Sequence, residues 1–417
     1  MLKDIFPIAF KRYAALPLLG SLMDDFSEFI QRLGYTSCVT RCYLRELIAV
    51  DKRLRRLKCH SITKITRSML LTCAPPPGRS QDNIPASAVV KLLERYLDKQ
   101  KIFPPVPLTP VEKKLACYSE YLKDMRSLSS STIQDHCLTI SRFLVFLSKR
   151  NKFPYLQKLS SLDIEDFIGD IEGAVGRHKL QCIVSNLRTF LRFLGMKNEA
   201  PAGLENLIDT PRVYHGEKLP RSLDWQTVDT LLKSIDRSTA IGRRDYSILL
   251  LIATYGLRRS EIIDLKLEDI KWRENRLKVY QRKTATSLIL PLTDAAGESI
   301  INYIRQGRPP TTYREIFVRH RAPHRILGPN AISKVFCLWL RRSGIVTPFN
   351  VNGVHCLRHS FALQLLRQGN SLKTIGDILG HRNFESTCVY LRLNIDDLRA
   401  VPLSLPIQSL SNQEVLP

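Results

Sequence analysis

Residues 355–390 read HCLRHSFALQLLRQGNSLKTIGDILGHRNFESTCVY, placing three histidines, three arginines and one tyrosine in two segments with helically spaced apolar residues. His355, Arg358 and His359 stand at i, i+3 and i+4, so on a helix all three lean to one face. Gly380 closes the second segment, His381 follows at the turn, and Tyr390 lies on the next helical stretch. A self-sufficient apolar core needs none of these cations. A phosphate-bearing partner would explain them.

Outward from that stretch, the composition agrees. The chain has 417 residues, 63 Lys and Arg against 39 Asp and Glu, and a formal net charge of +24. Its length suggests two or three domains, and its 44% hydrophobic content is enough for packed cores. The charge excess points to a polyanion, either nucleic acid or an acidic membrane surface. No apolar run approaches the roughly 20 residues that cross a bilayer. The start, MLKDIFPIAFKRYAALPLLGSLMDD, is too broken by charges and prolines for a secretory signal. Ten scattered cysteines without a CxxC pair read as reduced thiols in cytoplasmic core positions.

Pro-rich stretches at 73–87 and 103–114 read as linkers, and 203–224 separates two differently patterned halves. Four helices are expected within 111–200, with N-caps at Ser130–Thr132 and Ser161. The last of them carries Arg177, Lys179, Arg188 and Arg192, suited either to a solvated face or to phosphate contacts. The segment from Asp25 echoes the segment from Cys117 after a single-residue slip, a sign of a duplicated helical module. Beyond 221, residues 270–293 alternate with period two around turn residues and predict a small antiparallel sheet. Helices follow at about 294–306, 329–343, 353–368, 371–379 and 384–392.

Two further cationic features lie upstream. Arg258 and Arg259 follow a glycine-containing helix end, and Lys283 sits in the sheet segment. Each alone reads as a solvated surface residue. Glu261, Asp264, Glu268 and Asp269 read as the wet side of a short amphipathic helix. A zinc pair at His355 and His359 has the right spacing, but Cys356 stands where a zincin places its glutamate base. Taken together, the cations and a hydroxyl suit a phosphodiester. Guanidiniums can clamp its non-bridging oxygens, a lysine can protonate the leaving oxygen, and a tyrosine can attack phosphorus.

In the order Arg258, Lys283, His355-x-x-Arg358, His381, Tyr390, the chain resembles the tyrosine recombinase (phage integrase) family. GLRRSEI (256–262), LRHSFALQLLRQG (357–369) and LGHRNFESTCVY (379–390) carry the resemblance, in the spacing of bacterial Xer-like, mobile-element integrase and transposase members. The resemblance implies a mainly α fold with a small antiparallel sheet in the catalytic domain, forming a two-domain DNA clamp with an extra N-terminal helical region. It covers about 111–400 and implies a core-binding SAM-like domain at 106–205, a catalytic domain at 206–402 and a tail at 403–417, while residues 1–105 depart from its compact bacterial members and read as a helical region serving as an extra DNA-binding or interaction module. It assigns Tyr390 as nucleophile, Lys283 as acid, His355 as proton acceptor or positioning group, and Arg258, Arg358 and His381 as phosphate-binding groups. His359 would support the site. No cofactor and no metal are implied. The partner would be double-stranded DNA at paired sites, bound by a homo-tetramer, alone or with related recombinase subunits, in the cytoplasm at the nucleoid. Integration, excision or transposition of a mobile element is the expected process. A type IB topoisomerase-like relaxing enzyme and a non-catalytic DNA-binding regulator are the alternatives.

Overall fold

The computed structural model describes residues 2–74, 84–103, 107–213, 221–282, 285–347, 353–381 and 383–393. The chain divides into two compact units, Pro104–Glu217 and the remainder. Among the described residues, no helix is long and apolar enough to cross a membrane.

The larger unit begins with α1 (Leu2–Ile5) and α2 (Phe10–Ala14), followed by α3 (Met23–Arg32), α4 (Ser37–Arg56), α5 (Arg67–Cys73) and α6 (Ile84–Lys99). Phe26, Ile30, Leu44, Leu47, Leu54, Leu70 and Leu97 fill its own apolar core. Asp51 is buried on α4 and its Oδ1 accepts the backbone N–H groups of Leu18 and Leu19, at 3.1 and 2.9 Å. Those bonds tie the leader carrying α1 and α2 to the bundle. After α3 the chain turns at Gly34, with φ at +86°. A Cβ there would lie 2.7 Å from Cδ2 of His324, so any other residue would have to displace that ring as well as take up a left-handed backbone. His324 is held in place, because its Nδ1 donates to the carbonyl of Arg319 and its own carbonyl accepts from Thr311.

The smaller unit is a four-helix bundle of α7 (Pro110–Asp124), α8 (Ser130–Lys149), α9 (Ser161–Glu172) and α10 (Arg177–Met196) around Tyr118, Phe143, Leu187 and Phe190. The four expected helices are present, but the caps lie one residue earlier than the sequence suggests. Ser129 accepts the N–H of Thr132, and Ser160 forms a capping box with Asp163. The break at 103–114 is also shorter than it reads. Pro110 opens α7 behind a Thr109–Glu112 capping box, since proline at the first helical position forfeits only an N–H that is unpaired there anyway. Likewise α6 begins at Ile84, inside the stretch expected to be linker.

The rest of the larger unit contains α11 (Trp225–Lys233), α12 (Ala240–Tyr255) and α13 (Arg259–Asp264). A three-stranded antiparallel sheet follows, β1 (Ile270–Lys271), β2 (Arg276–Gln281) and β3 (Thr286–Pro291), paired in that order. Leu277 and Val279 turn inward on β2 while Arg276, Lys278 and Tyr280 face solvent, the alternation that the sequence shows. Then come α14 (Asp294–Gln306), α15 (Ala331–Arg342), α16 (His355–Arg367), α17 (Leu372–Leu379) and α18 (Glu385–Cys388), with a 3₁₀ turn at Val389–Leu393. Helix α16 is buried on most sides, and the Ser360 hydroxyl fixes it by bonding both the N–H and the carbonyl of Leu223 at 2.7 Å. The cysteines are less uniform than core residues: Cys59, Cys73 and Cys356 are buried, but Cys38, Cys42, Cys117 and Cys182 are exposed. Exposure at those four follows their place on the solvent sides of α4, α7 and α10.

Candidate active site

Two helix C-termini build the site. Helix α12 ends at Gly256 and α17 at Gly380, both in the left-handed region with φ near 63° and 64°. Helix ends of this kind leave carbonyl oxygens without intrahelical partners, and the negative end of the dipole favours cations. Arg358, only 2% exposed on α16, fills that position. Its Nη1 donates to the carbonyl of Gly256 and its Nη2 to the carbonyl of Leu379, the latter at 2.7 Å. Arg258 lies alongside, its Nη2 donating to the Gly380 carbonyl at 3.3 Å. The arginines are therefore held from behind, by backbone.

Arg258 is held a second time by Glu261. The buried carboxylate accepts the Arg258 backbone N–H at 2.7 Å and its Nη1 at 2.8 Å. Glu261 is thus not part of a wet helix face, as its spacing suggested; at 2% exposure it is an internal anchor. Asp264 is half-buried and pairs with Arg282, and burial pushes its carboxyl up while that arginine pulls it down. Arg259 points elsewhere and donates to Ser333 at 3.2 Å. Of the adjacent pair, Arg258 is the one in the site.

His381 completes the cluster. Arg358 Nη2 lies 3.1 Å from His381 Nε2, and a guanidinium can only donate, so Nε2 accepts. The ring proton must then sit on Nδ1, which faces the hydroxyl of Thr387 at 2.8 Å. Thr387 is fully buried, so this bond fixes both tautomer and ring orientation. Thr387 escaped the sequence reading; its signal was a hydroxyl one turn ahead of Tyr390.

Tyr390 is 3% exposed and packs with Ala362, Ile375 and Leu379. Its ring stacks at 6.3 Å from His381 and lies 5.6 Å from His359. Burial pushes the phenol up, while the charge and hydrogen bond of Arg358 pull it down. Arg358 itself is lowered to about 10 by burial and then by the neighbouring Arg258. His355 reaches the cluster through His359, with ring centres 4.9 Å apart. His355 is held down to about 4, by dehydration first and then by the guanidiniums of Arg358, Arg258 and Arg259. His359 is likewise lowered to about 4, by burial and then by His355 and Arg358.

The structure thus gathers Arg258, His355, Arg358, His381 and Tyr390, with His359 between them. Lys283 lies outside the described residues. Among the described residues, no group of three His, Cys, Asp or Glu side chains is placed to hold a metal ion. Chemically, the arrangement is two backbone-held guanidiniums and an imidazole around one phenol, a pocket of fixed positive charge suited to a developing phosphorane.

Comparison with known proteins follows the same lines. The family model described as "Phage integrase family" matches residues 221–396, and that described as "Phage integrase, N-terminal SAM-like domain" matches 115–198. The inferred integrase/recombinase y4rA of Sinorhizobium fredii is 33% identical over 297 residues, 71% of each chain. Tyrosine recombinase XerD of Lacticaseibacillus casei is 26% identical over 294 residues, covering 69% of this chain and 96% of that one. Among solved structures, the XerH site-specific recombinase bound to a palindromic difH substrate superposes with a TM-score of 0.55. It is 18% identical, covering 81% of this chain and 93% of the other, a likeness of fold.

Proposed function

Since the chain belongs to the phage integrase family of tyrosine recombinases, which cut and rejoin DNA through a phosphotyrosine intermediate without a metal, we propose that it is a site-specific recombinase with Tyr390 as nucleophile. The observation that carries this assignment is the stacking of the buried Tyr390 ring on His381 beside two backbone-held arginines.

Arg258 and Arg358 clamp the non-bridging oxygens of one phosphodiester, and His381, once protonated on both nitrogens, donates to the same group while Thr387 keeps its ring aligned. The Tyr390 oxygen attacks phosphorus and the bond to the 5′-oxygen breaks, leaving a 3′-phosphotyrosyl ester. The phenolic proton passes to His355, which burial and then the neighbouring guanidiniums keep neutral, and Lys283 protonates the departing 5′-oxygen. Rejoining reverses these steps, with a 5′-hydroxyl attacking the ester and Tyr390 recovering its proton. Exchange between two duplexes breaks four strands, so four protomers on paired sites supply one tyrosine each. The organisation proposed is a helical region at 1–105, a DNA-contacting SAM-like domain at 106–205 whose compact unit runs on to Glu217, a catalytic domain at 206–402 that takes up the chain beyond that unit, and a tail at 403–417. Mobility of a DNA element is the process proposed, in the cytoplasm at the nucleoid.

On a nicked suicide substrate, wild-type protein is expected to form an adduct that survives denaturing electrophoresis, with or without excess EDTA. Tyr390→Phe should form none while retaining affinity within about twofold, because only one oxygen is lost. An adduct in the mutant would place the nucleophile elsewhere, and rescue of a chelated reaction by Mg²⁺ or Zn²⁺ would overturn the metal-free reading.

A further inference from the structure

Residues 23–103 repeat the backbone design of residues 110–199. In each, the first helix packs on the second and fourth, the second on the third and fourth, and the third on the fourth. Three aromatic rings at corresponding positions meet in each. Phe26, Phe29 and Tyr96 have centre distances of 6.2, 5.4 and 5.3 Å, and Tyr118, Tyr121 and Phe193 have 6.3, 5.3 and 5.1 Å. Left-handed residues end three corresponding helices: Gly34 and Ser127 after the first, Lys58 and Asn151 after the second, Lys101 and Asn198 after the fourth. The closing hydrogen bonds also correspond. Cys59 N–H donates to Leu54 as Lys152 does to Leu147, and Ile102 donates to Leu97 as Glu199 does to Leu194. Thr36 and Ser129 cap the second helices, and the 3₁₀ turns Ile62–Lys64 and Leu156–Lys158 precede the third. The residue offset grows only from 92 at Phe26/Tyr118 to 97 at Lys101/Asn198, so the copies differ by short insertions.

The surface of α4 is the part that has changed. Arg41, Arg45, Lys52 and Arg56 are all exposed. At about 100° per residue they fall within roughly 60° of one another and run for about 22 Å along the helix. Arg45, Lys52 and Arg56 pair with no carboxylate among the described residues, and Arg41 gives its Nε to the carbonyl of Ile5. Asp51 is buried, and Glu46 points roughly 100° away from the stripe. The corresponding residues of α8 are Gln134, Leu138, Val145 and Lys149, only the last of them a cation, so the four-helix fold itself does not require a cation at the first three positions.

We propose that residues 23–103 are a second copy of the SAM-like domain and that α4 lies along duplex DNA outside the segment bound by the catalytic site. This rests on the recombinase reading above. A straight rank of cations without interspersed acids matches a line of phosphates and needs no base readout. The occupant is therefore the flank of the same duplex, bound mainly through its backbone.

The test uses the full-length chain with Arg41→Gln, Arg45→Gln, Lys52→Gln and Arg56→Gln combined, and a control with Lys11, Lys64, Lys91 and Lys101 changed to Gln. Three readouts are compared: adduct on a short nicked site, salt dependence of affinity on a long duplex, and the nuclease footprint. The stripe variant should form the short-site adduct at the wild-type rate. Its slope of log affinity against log salt should fall by roughly 3 to 4, about 0.9 per phosphate, and its footprint should shorten. The Arg45→Gln/Lys52→Gln pair alone should give about half that change. An unchanged slope and footprint, as expected if the stripe meets a protein, would overturn the proposal, as would an equal loss in the control. Failure of the wild-type adduct would instead strike the recombinase reading.

Discussion

Thr387 shows how much of the site depends on a residue that never touches the proposed substrate. Its hydroxyl accepts a hydrogen bond from Nδ1–H of His381, leaving Nε2 directed at Arg358 and, in the proposed reaction, at the phosphate. Thr387→Val keeps the shape and removes the acceptor. Strand cleavage is expected to slow by about ten- to a hundredfold, the equivalent of one unsatisfied buried polar group. DNA affinity should hardly move, and Thr387→Ser should restore the rate. A Val variant with wild-type cleavage across the pH range would remove Thr387 from the positioning role. At this scale the sequence was informative about which side chains meet, Arg258, Arg358, His381 and Tyr390 above all. It was misleading for Glu261, because a carboxylate on a short helix reads as solvated unless the tertiary structure folds an arginine over it.

Among the elements, periodicity located the helices and the hairpin, while the ends depended on single side chains. Serines stand at 129, 130 and 131, and only the backbone selects Ser129 as the cap. The repeat was visible at Asp25 and Cys117 and nowhere else, because its recurring features are rings of different types and left-handed residues as unlike as Lys58 and Asn151. Asp51 marks where the copies part. Its counterpart in α8 is the buried Leu144, so the helix position itself accepts leucine. Asp51→Leu should leave α4 folded and release the leader by removing two charge-assisted bonds of about 1.5–3 kcal/mol each. Hydrogen exchange should then rise across residues 2–22 while 37–56 stays protected. Loss of protection along α4 as well would show that Asp51 holds the bundle and not only the leader.

The molecule as a whole carries a net charge of +24, and composition alone could say that it meets a polyanion but not with which surfaces. Those surfaces depend on how the first hundred residues sit on the body that bears Tyr390, which belongs to the same compact unit. Gly34 bears directly on this. Its counterpart, Ser127, adopts φ of +48° and is exposed, so the turn tolerates a side chain where nothing lies against it. At Gly34, His324 fills that space. Gly34→Ser should therefore leave each core intact and force them apart. Calorimetry would then resolve two melting transitions where the wild-type unit gives one, and an unchanged single transition would show that the contact is incidental. If so, one hydrogen atom in place of a side chain would be what lets two hydrophobic interiors melt together, and cooperativity would belong to a turn and not to a core.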